Sequence, residues 1–234
     1  LNLISYIFLM CYYCCCIMKK LFFLFMPIII FSQEVPIGNW KNYQSYASAS
    51  HISETDERIY CISSNGIYYV NKQDNSIVRL SKINGLSDIT VKKSEYDKTT
   101  KTLIIVYENC NIDLIKENNI INVSDIKRKE IVGEKTINNI YTKNGIAYLS
   151  SSFGIVLLNL INQEIIDTYQ IGFENEFVGV KGCVIKSDTI FAASINKIYY
   201  ANINSTELFD YTNWDTLTGY TNYNKIHNIV ASEN

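Results

Sequence analysis

The chain has 234 residues, 47% of them hydrophobic and 19% charged, with 21 basic against 23 acidic side chains. That apolar content supports a packed core, and the low, mixed charge excludes a disordered chain and argues against nucleic acid as a partner. Abundant Tyr (18), against only two Pro and ten Gly, favours strands, because flat aromatic and branched side chains suit a pleated, half-buried surface.

Residues 1–17 begin with Leu and hold Cys11, Cys14, Cys15 and Cys16 without a charge before Met18. They are read as a non-native extension of the reading frame. A metal site would need a second Cys/His cluster, which the sequence lacks. Residues 18–32 read as a signal peptide: Met18-Lys19-Lys20 is a basic start, Leu21–Phe31 is apolar, and Ser32 is a small residue suited to cleavage. The apolar run is about half of the ~20 residues a membrane-spanning helix needs, which disfavours an anchor. Cleavage there leaves 19 basic and 23 acidic residues and three cysteines, Cys61, Cys110 and Cys183. An odd number cannot form a complete set of internal disulfides, and each lies in or beside an apolar run, so buried free thiols are expected.

From residue 37 to residue 234 the text repeats. Ile77, Ile121, Ile165 and Phe209 are each 44 residues apart; Ile59, Leu103, Ile146 and Ile190 keep steps of 44, 43 and 44; Ile67, Ile112, Ile155 and Ile198 keep 45, 43 and 43. Such a period fits a propeller blade or a helical solenoid repeat. Each unit holds four short runs: 46–52, 58–63, 66–72 and 76–82; then 89–96, 102–108, 111–117 and 120–126; then 137–143, 146–152, 154–161 and 164–170; then 178–186, 189–195, 197–203 and 207–214. Runs of five to eight residues with short polar breaks have the spacing of hairpins. The predicted fold is therefore all-β: a β-propeller of four-stranded antiparallel blades, four of them present. Trp40 and Trp214, like Ile52 and Ile226, lie 174 residues apart, which is four blades. Trp40 is thus predicted on an outer strand preceding the first blade, and 223–234 as the start of a fifth blade in a chain truncated at its C-terminus.

Chemistry-bearing patterns are sparse. His51 and His227 lie near the equivalent Ile52 and Ile226 and are expected at similar blade positions. Neither has neighbouring metal-ligating residues. The carboxylate pairs Glu54/Asp56 and Glu95/Asp97 fall in predicted turns, where acidic side chains bond their own backbone. Glycine-rich phosphate loops and nucleophile elbows are missing from the text. Asn122-Val123-Ser124 and Asn204-Ser205-Thr206 fit the glycosylation acceptor pattern but are read as chance beside a bacterial-style export signal. The pairs Tyr68-Tyr69 and Tyr199-Tyr200 could stack on a sugar, but alternation along a strand sends one of each pair into blade packing. No catalytic, cofactor-binding or metal residue is assigned, and no cofactor is expected.

The strings Tyr69-Val70-Asn71-Lys72-Gln73-Asp74-Asn75-Ser76 and Leu80-Ser81-Lys82-Ile83-Asn84-Gly85-Leu86-Ser87-Asp88 resemble propellers related to two-component regulators. With Lys101–Glu108, Asn111–Ile115, Val123–Arg128 and Lys135–Tyr141, the text is most similar to the N-terminal β-propeller of PorZ-type proteins of the type IX secretion system in Bacteroidota. The similarity runs from Trp40 to Asn234. Cys110 departs from the pattern, which has Gly there, and this puts the turn geometry in question. The resemblance implies an exported, non-catalytic scaffold in the periplasm or at the outer-membrane surface. It further implies work with other secretion-apparatus proteins, a surface sortase-like protease, and anionic lipopolysaccharide bound through missing C-terminal sequence. The rival readings are the periplasmic sensor of a hybrid two-component histidine kinase and a propeller-bearing polysaccharide-active enzyme.

Overall fold

Short, strand-favouring runs separated by two to five polar residues leave the chain little choice but to double back on itself. In the computed structural model, which describes residues 10, 12, 13, 46, 49–63, 66–172, 178–219 and 225–231, the described residues form sixteen strands. The chain divides into two compact units, Leu1–Lys41 and Asn42–Asn234. Of the first, three exposed helical residues are described, Met10, Tyr12 and Tyr13. The expected signal segment 18–32, most of the 1–17 extension and Trp40 lie outside the described residues.

The second unit is built from four sheets. The first holds β1 (Ala49–Glu54), β2 (Arg58–Ser63), β3 (Gly66–Asn71) and β4 (Ile77–Leu80); the second holds β5 (Val91–Asp97), β6 (Thr102–Tyr107), β7 (Ile112–Lys116) and β8 (Asn119–Val123). A one-turn helix, α1 (Asp125–Arg128), leads to the third, β9 (Ile137–Lys143), β10 (Ile146–Ser151), β11 (Gly154–Asn159) and β12 (Glu164–Tyr169). The fourth holds β13 (Gly182–Lys186), β14 (Thr189–Ala193), β15 (Ile198–Asn202) and β16 (Asp215–Thr216). In every sheet the strands are antiparallel and stand in chain order. These are propeller blades, and the first strands β1, β5, β9 and β13 pack on one another in succession.

Alternation explains why the sheets stack. Along β6, Leu103, Ile105 and Tyr107 join Tyr60, Ile62 and Ile67 of the first sheet. The intervening Ile104 and Val106 join Ala147, Leu149 and Val156 of the third. The other face of the third sheet, through Tyr148, Ile155 and Leu157, packs on Cys183, Ile190 and Tyr199 of the fourth. Three apolar layers thus separate four sheets, each following from the two-residue strand period. Cys61, Cys110 and Cys183 are free and buried, as expected.

A serine latch repeats at the hairpin joining second to third strands. Ser63 Oγ donates to Gly66 O (3.1 Å), Ser151 Oγ to Gly154 O (2.8 Å), and Ser194 Oγ to Lys197 O (3.1 Å). In the second sheet Tyr107 takes the serine's place, and Cys110 closes the turn by donating its N–H to Tyr107 O (2.9 Å). Cys110 has φ 61°, so it adopts the conformation that favours glycine. The scarcity of glycine recurs elsewhere: Lys101, Asn144 and Ser187 in hairpins between first and second strands, and Asn75, Glu117 and Gln163 between third and fourth, all have φ between 52° and 62°.

Two expectations about the fourth unit need correction. Its last strand is not 207–214 but the two-residue β16. Asp210 caps a tight turn by accepting from Thr212 N (2.9 Å), and Trp214 buries its ring while Nε1 donates to Leu208 O (3.0 Å). These local bonds fold 207–214 on itself and leave Phe209 exposed. Ile198 starts the third strand β15 as expected but is half-buried, while Ile67, Ile112 and Ile155 are fully buried. Residues 225–231 enter no ladder; Ile226 N donates to Ile195 O (2.7 Å) beyond β14.

The Gly154 latch gives a direct test. A Cβ at Gly154, whose φ is 121°, would lie 2.2 Å from Tyr169 O, whereas one at Gly133 (φ 93°) meets nothing within 4 Å. Gly154→Ala should therefore cost about 2–4 kcal/mol, and Gly133→Ala about 1 kcal/mol, measured as urea unfolding free energies. Burial holds the Cys183 thiol up at about 12 and also raises that of Cys110. Both should resist alkylation in the native protein and react on unfolding.

Candidate axial cleft

Side chains on β1, β5 and β9 reach the backbone or side chain of the next repeat. His51 Nε2 lies 2.8 Å from Ser94 O, Asn138 Nδ2 donates to Val180 O (2.7 Å), and Tyr141 OH to Ile185 O (3.2 Å). Lys92 Nζ donates to Thr136 Oγ1. Each bond joins residues 42 to 44 apart in sequence, so one repeat is tied to the next. A one-residue irregularity between β1 and β2, β5 and β6, and β9 and β10 re-aims the start of these three first strands.

The first strands converge on a cleft of about 800 Å³. His51 enters from β1, Lys93 and Glu95 from β5, Asn139 and Tyr141 from β9, and Lys186 from β13; Asn228–Ala231 form a further wall. Asn139 Nδ2 donates to Asn228 Oδ1 (2.9 Å). Gly182 permits this approach, because a Cβ there would lie 2.4 Å from Asn228 Oδ1. Since Ser94 O can only accept, His51 Nε2 is the donor of this bond. Burial raises the Glu95 carboxyl above the usual carboxylate range, against the opposing pull of nearby His51 and Lys93. The cleft therefore combines ammonium groups, a carboxyl, amides and a phenol, the mixed polar lining of a binding site.

The other residues singled out in the sequence scatter. His227 is exposed in the unladdered segment, so it does not share the strand position of His51. Glu54 ends β1 and pairs with Lys72 (2.7 Å). Glu95 lies within β5 rather than in a turn, because β5 continues to Asp97. Asp97 does bond the following turn, accepting from Thr100 N (2.8 Å). Tyr199 is buried in the layer between the third and fourth sheets, while Tyr200 contacts Phe191 on the other face. Tyr69 packs toward the second sheet beneath the Arg58 guanidinium (4.7 Å), and Tyr68 contacts Tyr46. Among the described residues, no three His, Cys, Asp or Glu side chains gather around a possible metal position.

The Gly85–Asp88 string makes a joint between the first two blades. Gly85 (φ 105°) ends a tight turn over Lys82–Asn84, and Leu86 is buried between the sheets. Ser87 N, Tyr107 OH and Asn122 Nδ2 donate to the Asp113 carboxylate at 2.6–2.9 Å. Asp88 Oδ2 accepts from Asn109, Asn111 and Lys127 at 2.8–3.0 Å. Burial pushes the Asp88 carboxyl up, but these donors outweigh it and hold it below its ordinary value. Asn122 Nδ2 is engaged inside this network, which supports reading its acceptor pattern as chance.

Sequence reasoning missed Lys93, Asn139, Tyr141 and Lys186. A signal was present: His51, Glu95 and Asn139 are each 44 residues apart, so the period extends to polar positions lining one cleft. The Glu95 carboxyl is raised, so its folded form binds protons more tightly than the unfolded chain. Its contribution is unfavourable once pH rises above the unfolded carboxylate value, and it grows until the folded group has ionised. Glu95→Gln should therefore raise the unfolding midpoint at pH 7 and change it little at about pH 3, where the side chain is protonated in both states.

With the geometry in place, comparison with known proteins is informative. Residues 59–215 match the family model described as TSS9, PorZ, N-terminal beta-propeller domain. PorZ of Porphyromonas gingivalis, described as an essential bacterial surface component of the type-IX secretion system, superposes with a TM-score of 0.65 at 24% identity, over 73% of this chain and 22% of that one. The extracellular domain of the putative one component system BT4673 from B. thetaiotaomicron superposes with a TM-score of 0.61 at 13% identity, over 86% of this chain and 26% of that one. The computationally designed Ika8 protein gives 0.54 at 8% identity, over 78% and 52%. The chain thus spans about a quarter of the two bacterial structures, and at these identities the likeness shows the fold alone. No curated protein matches the sequence. Because the family model covers well over half of the chain, through all four sheets, the chain belongs to the PorZ N-terminal β-propeller family.

Proposed function

We propose that the chain is an exported, non-catalytic propeller scaffold of a type IX protein secretion and sorting apparatus, acting in the periplasm or at the outer-membrane surface. The family match over residues 59–215 carries this reading. It is supported by the surface role attributed to the Porphyromonas PorZ and by an axial cleft whose lining suits recognition. Among the described residues no helix is long and apolar enough to cross a membrane. Its partners on this reading are other components of the apparatus, including a surface sortase-like protease, with anionic lipopolysaccharide bound elsewhere in the full protein. The sensor propeller of a hybrid two-component kinase is the second reading, favoured by the superposition of 86% of the chain on the BT4673 extracellular domain, which a further structure describes as that of a putative hybrid two component system.

Deleting the gene in its native host separates the two. A scaffold of the apparatus predicts that secreted cargo accumulates in the periplasm unprocessed, whereas a sensor predicts intact secretion with altered transcription. Export also predicts a mature N-terminus near Gln33 in envelope material. Recovery of Met18 or Leu1 there would overturn it.

A further inference from the structure

A cavity of about 180 Å³ opens between the first and second blades, and both of its walls come from this adjoining pair. It is smaller than the roughly 300–1,000 Å³ of pockets for drug-sized ligands, so its occupant is small. The floor is apolar: Leu103 of β6 and Ile115 of β7 are buried, and Tyr60 of β2 is only 3% exposed. The rim is charged and carries both signs. Asp56 and Glu57 stand in the β1–β2 hairpin and Glu117 in the β7–β8 hairpin; Arg58 opens β2, and Lys101 stands in the β5–β6 hairpin.

Arg58 is held in place across the two blades. Its Nη1 donates to Tyr60 OH (3.3 Å) and Glu117 O (3.5 Å), its Nη2 donates to Asn118 Oδ1 (3.3 Å), and the guanidinium lies 4.7 Å from the Tyr69 ring centre. Because Tyr60 accepts from Arg58, its own hydrogen must find another acceptor. Burial raises the Tyr60 phenol against the pull of Arg58, so that hydrogen is kept. Among the described residues it meets no acceptor, and the Lys101 ammonium and Glu57 carboxylate meet no hydrogen-bonding or ionic partner. A buried phenol hydrogen in that position favours a ligand that supplies the acceptor. On the other side of the cavity, burial and then the negative field of Asp56, Glu57 and Asp97 raise the Tyr96 phenol.

Arg58, Tyr60 and Lys101 together call for an anionic oxygen, while Asp56, Glu57 and Glu117 call for an ammonium group. A simple anion would lie against three carboxylates, and a simple cation against two basic side chains. A small zwitterion satisfies both sets. We infer that this cavity binds a free α-amino acid, its carboxylate on Arg58, Tyr60 and Lys101 and its α-ammonium on the carboxylates of the rim. In an α-amino acid the two charges sit on one carbon, which suits a cavity of this size. The site is separate from the axial cleft and does not rest on the secretion role proposed above.

Amide-resolved NMR of the chain, titrated with each proteinogenic amino acid, tests the inference. At least one should shift the amides of residues 56–58, 101–103 and 115–117 saturably. The N-acetyl and the carboxamide derivatives of that amino acid, each lacking one charge, should bind about tenfold more weakly or worse. Glu57→Gln and Lys101→Asn should weaken binding similarly with an unchanged circular dichroism spectrum, because both positions are exposed and Asn tolerates the φ of 55° found at Lys101. For a variant that does not fold, the blocked derivatives on the unsubstituted chain decide. Saturable shifts with none of the amino acids, shifts confined to other residues, blocked derivatives that bind as tightly as the parent, or folded variants that bind unchanged would overturn the inference. Tighter binding of a neutral sugar such as glucose at the same amides would overturn it too.

Discussion

The constraint on which this fold depends is that a four-stranded blade with apolar residues at both strand parities has two faces to bury and only neighbouring blades to bury them. All six residues of β6 are buried: Leu103 and Ile105 toward the first sheet, Ile104 and Val106 toward the third. Each such aliphatic side chain contributes roughly 1.5–3 kcal/mol when removed from water, so isolating one sheet would forfeit most of what holds it flat. The repeat period follows from this, because four short strands with their hairpins consume about 43–45 residues before the next face is needed.

Apolar layers alone do not set how the blades fan out. The hydrogen bonds that cross from one repeat to the next do: His51 to Ser94, Asn138 to Val180 and Tyr141 to Ile185 tie successive first strands near the axis. Tying them brings side chains from four separate repeats to one cleft. His51, Lys93, Glu95, Asn139 and Lys186 therefore share a site although they come from four separate repeats. The positions repeat while the chemistry at them has diverged, which is how a repetitive scaffold acquires a specific binding surface.

Strand number, blade order and the buried third-strand positions Ile67, Ile112 and Ile155 were legible in the sequence, because alternation and a constant period report directly on packing. The last strand of the fourth blade was not. The 44-residue step from Ile165 to Phe209 continued the pattern in text, but the Asp210 cap and the buried Trp214 ring folded that stretch into a local turn. Glu95 was read as a turn residue because acidic pairs favour turns, whereas pairing with Ile104 held it in a strand. Cys110 was flagged for the right reason: its backbone does take the glycine-like conformation, while its side chain fills the second layer. The cleft stayed hidden because assembling it requires three-dimensional convergence, not proximity along the chain.

If burial by neighbouring blades is what stabilises each sheet, local stability must follow the number of covered faces. Native-state hydrogen exchange, at a concentration low enough to keep the chain dilute, measures this strand by strand. The account predicts that amides of β6, β7, β10 and β11, whose sheets are covered on both faces, exchange only through global unfolding. Those of β3, β4, β15 and β16 should exchange through smaller openings with lower free energy. Equal protection across all four sheets, or greatest protection in the first or fourth, would contradict it.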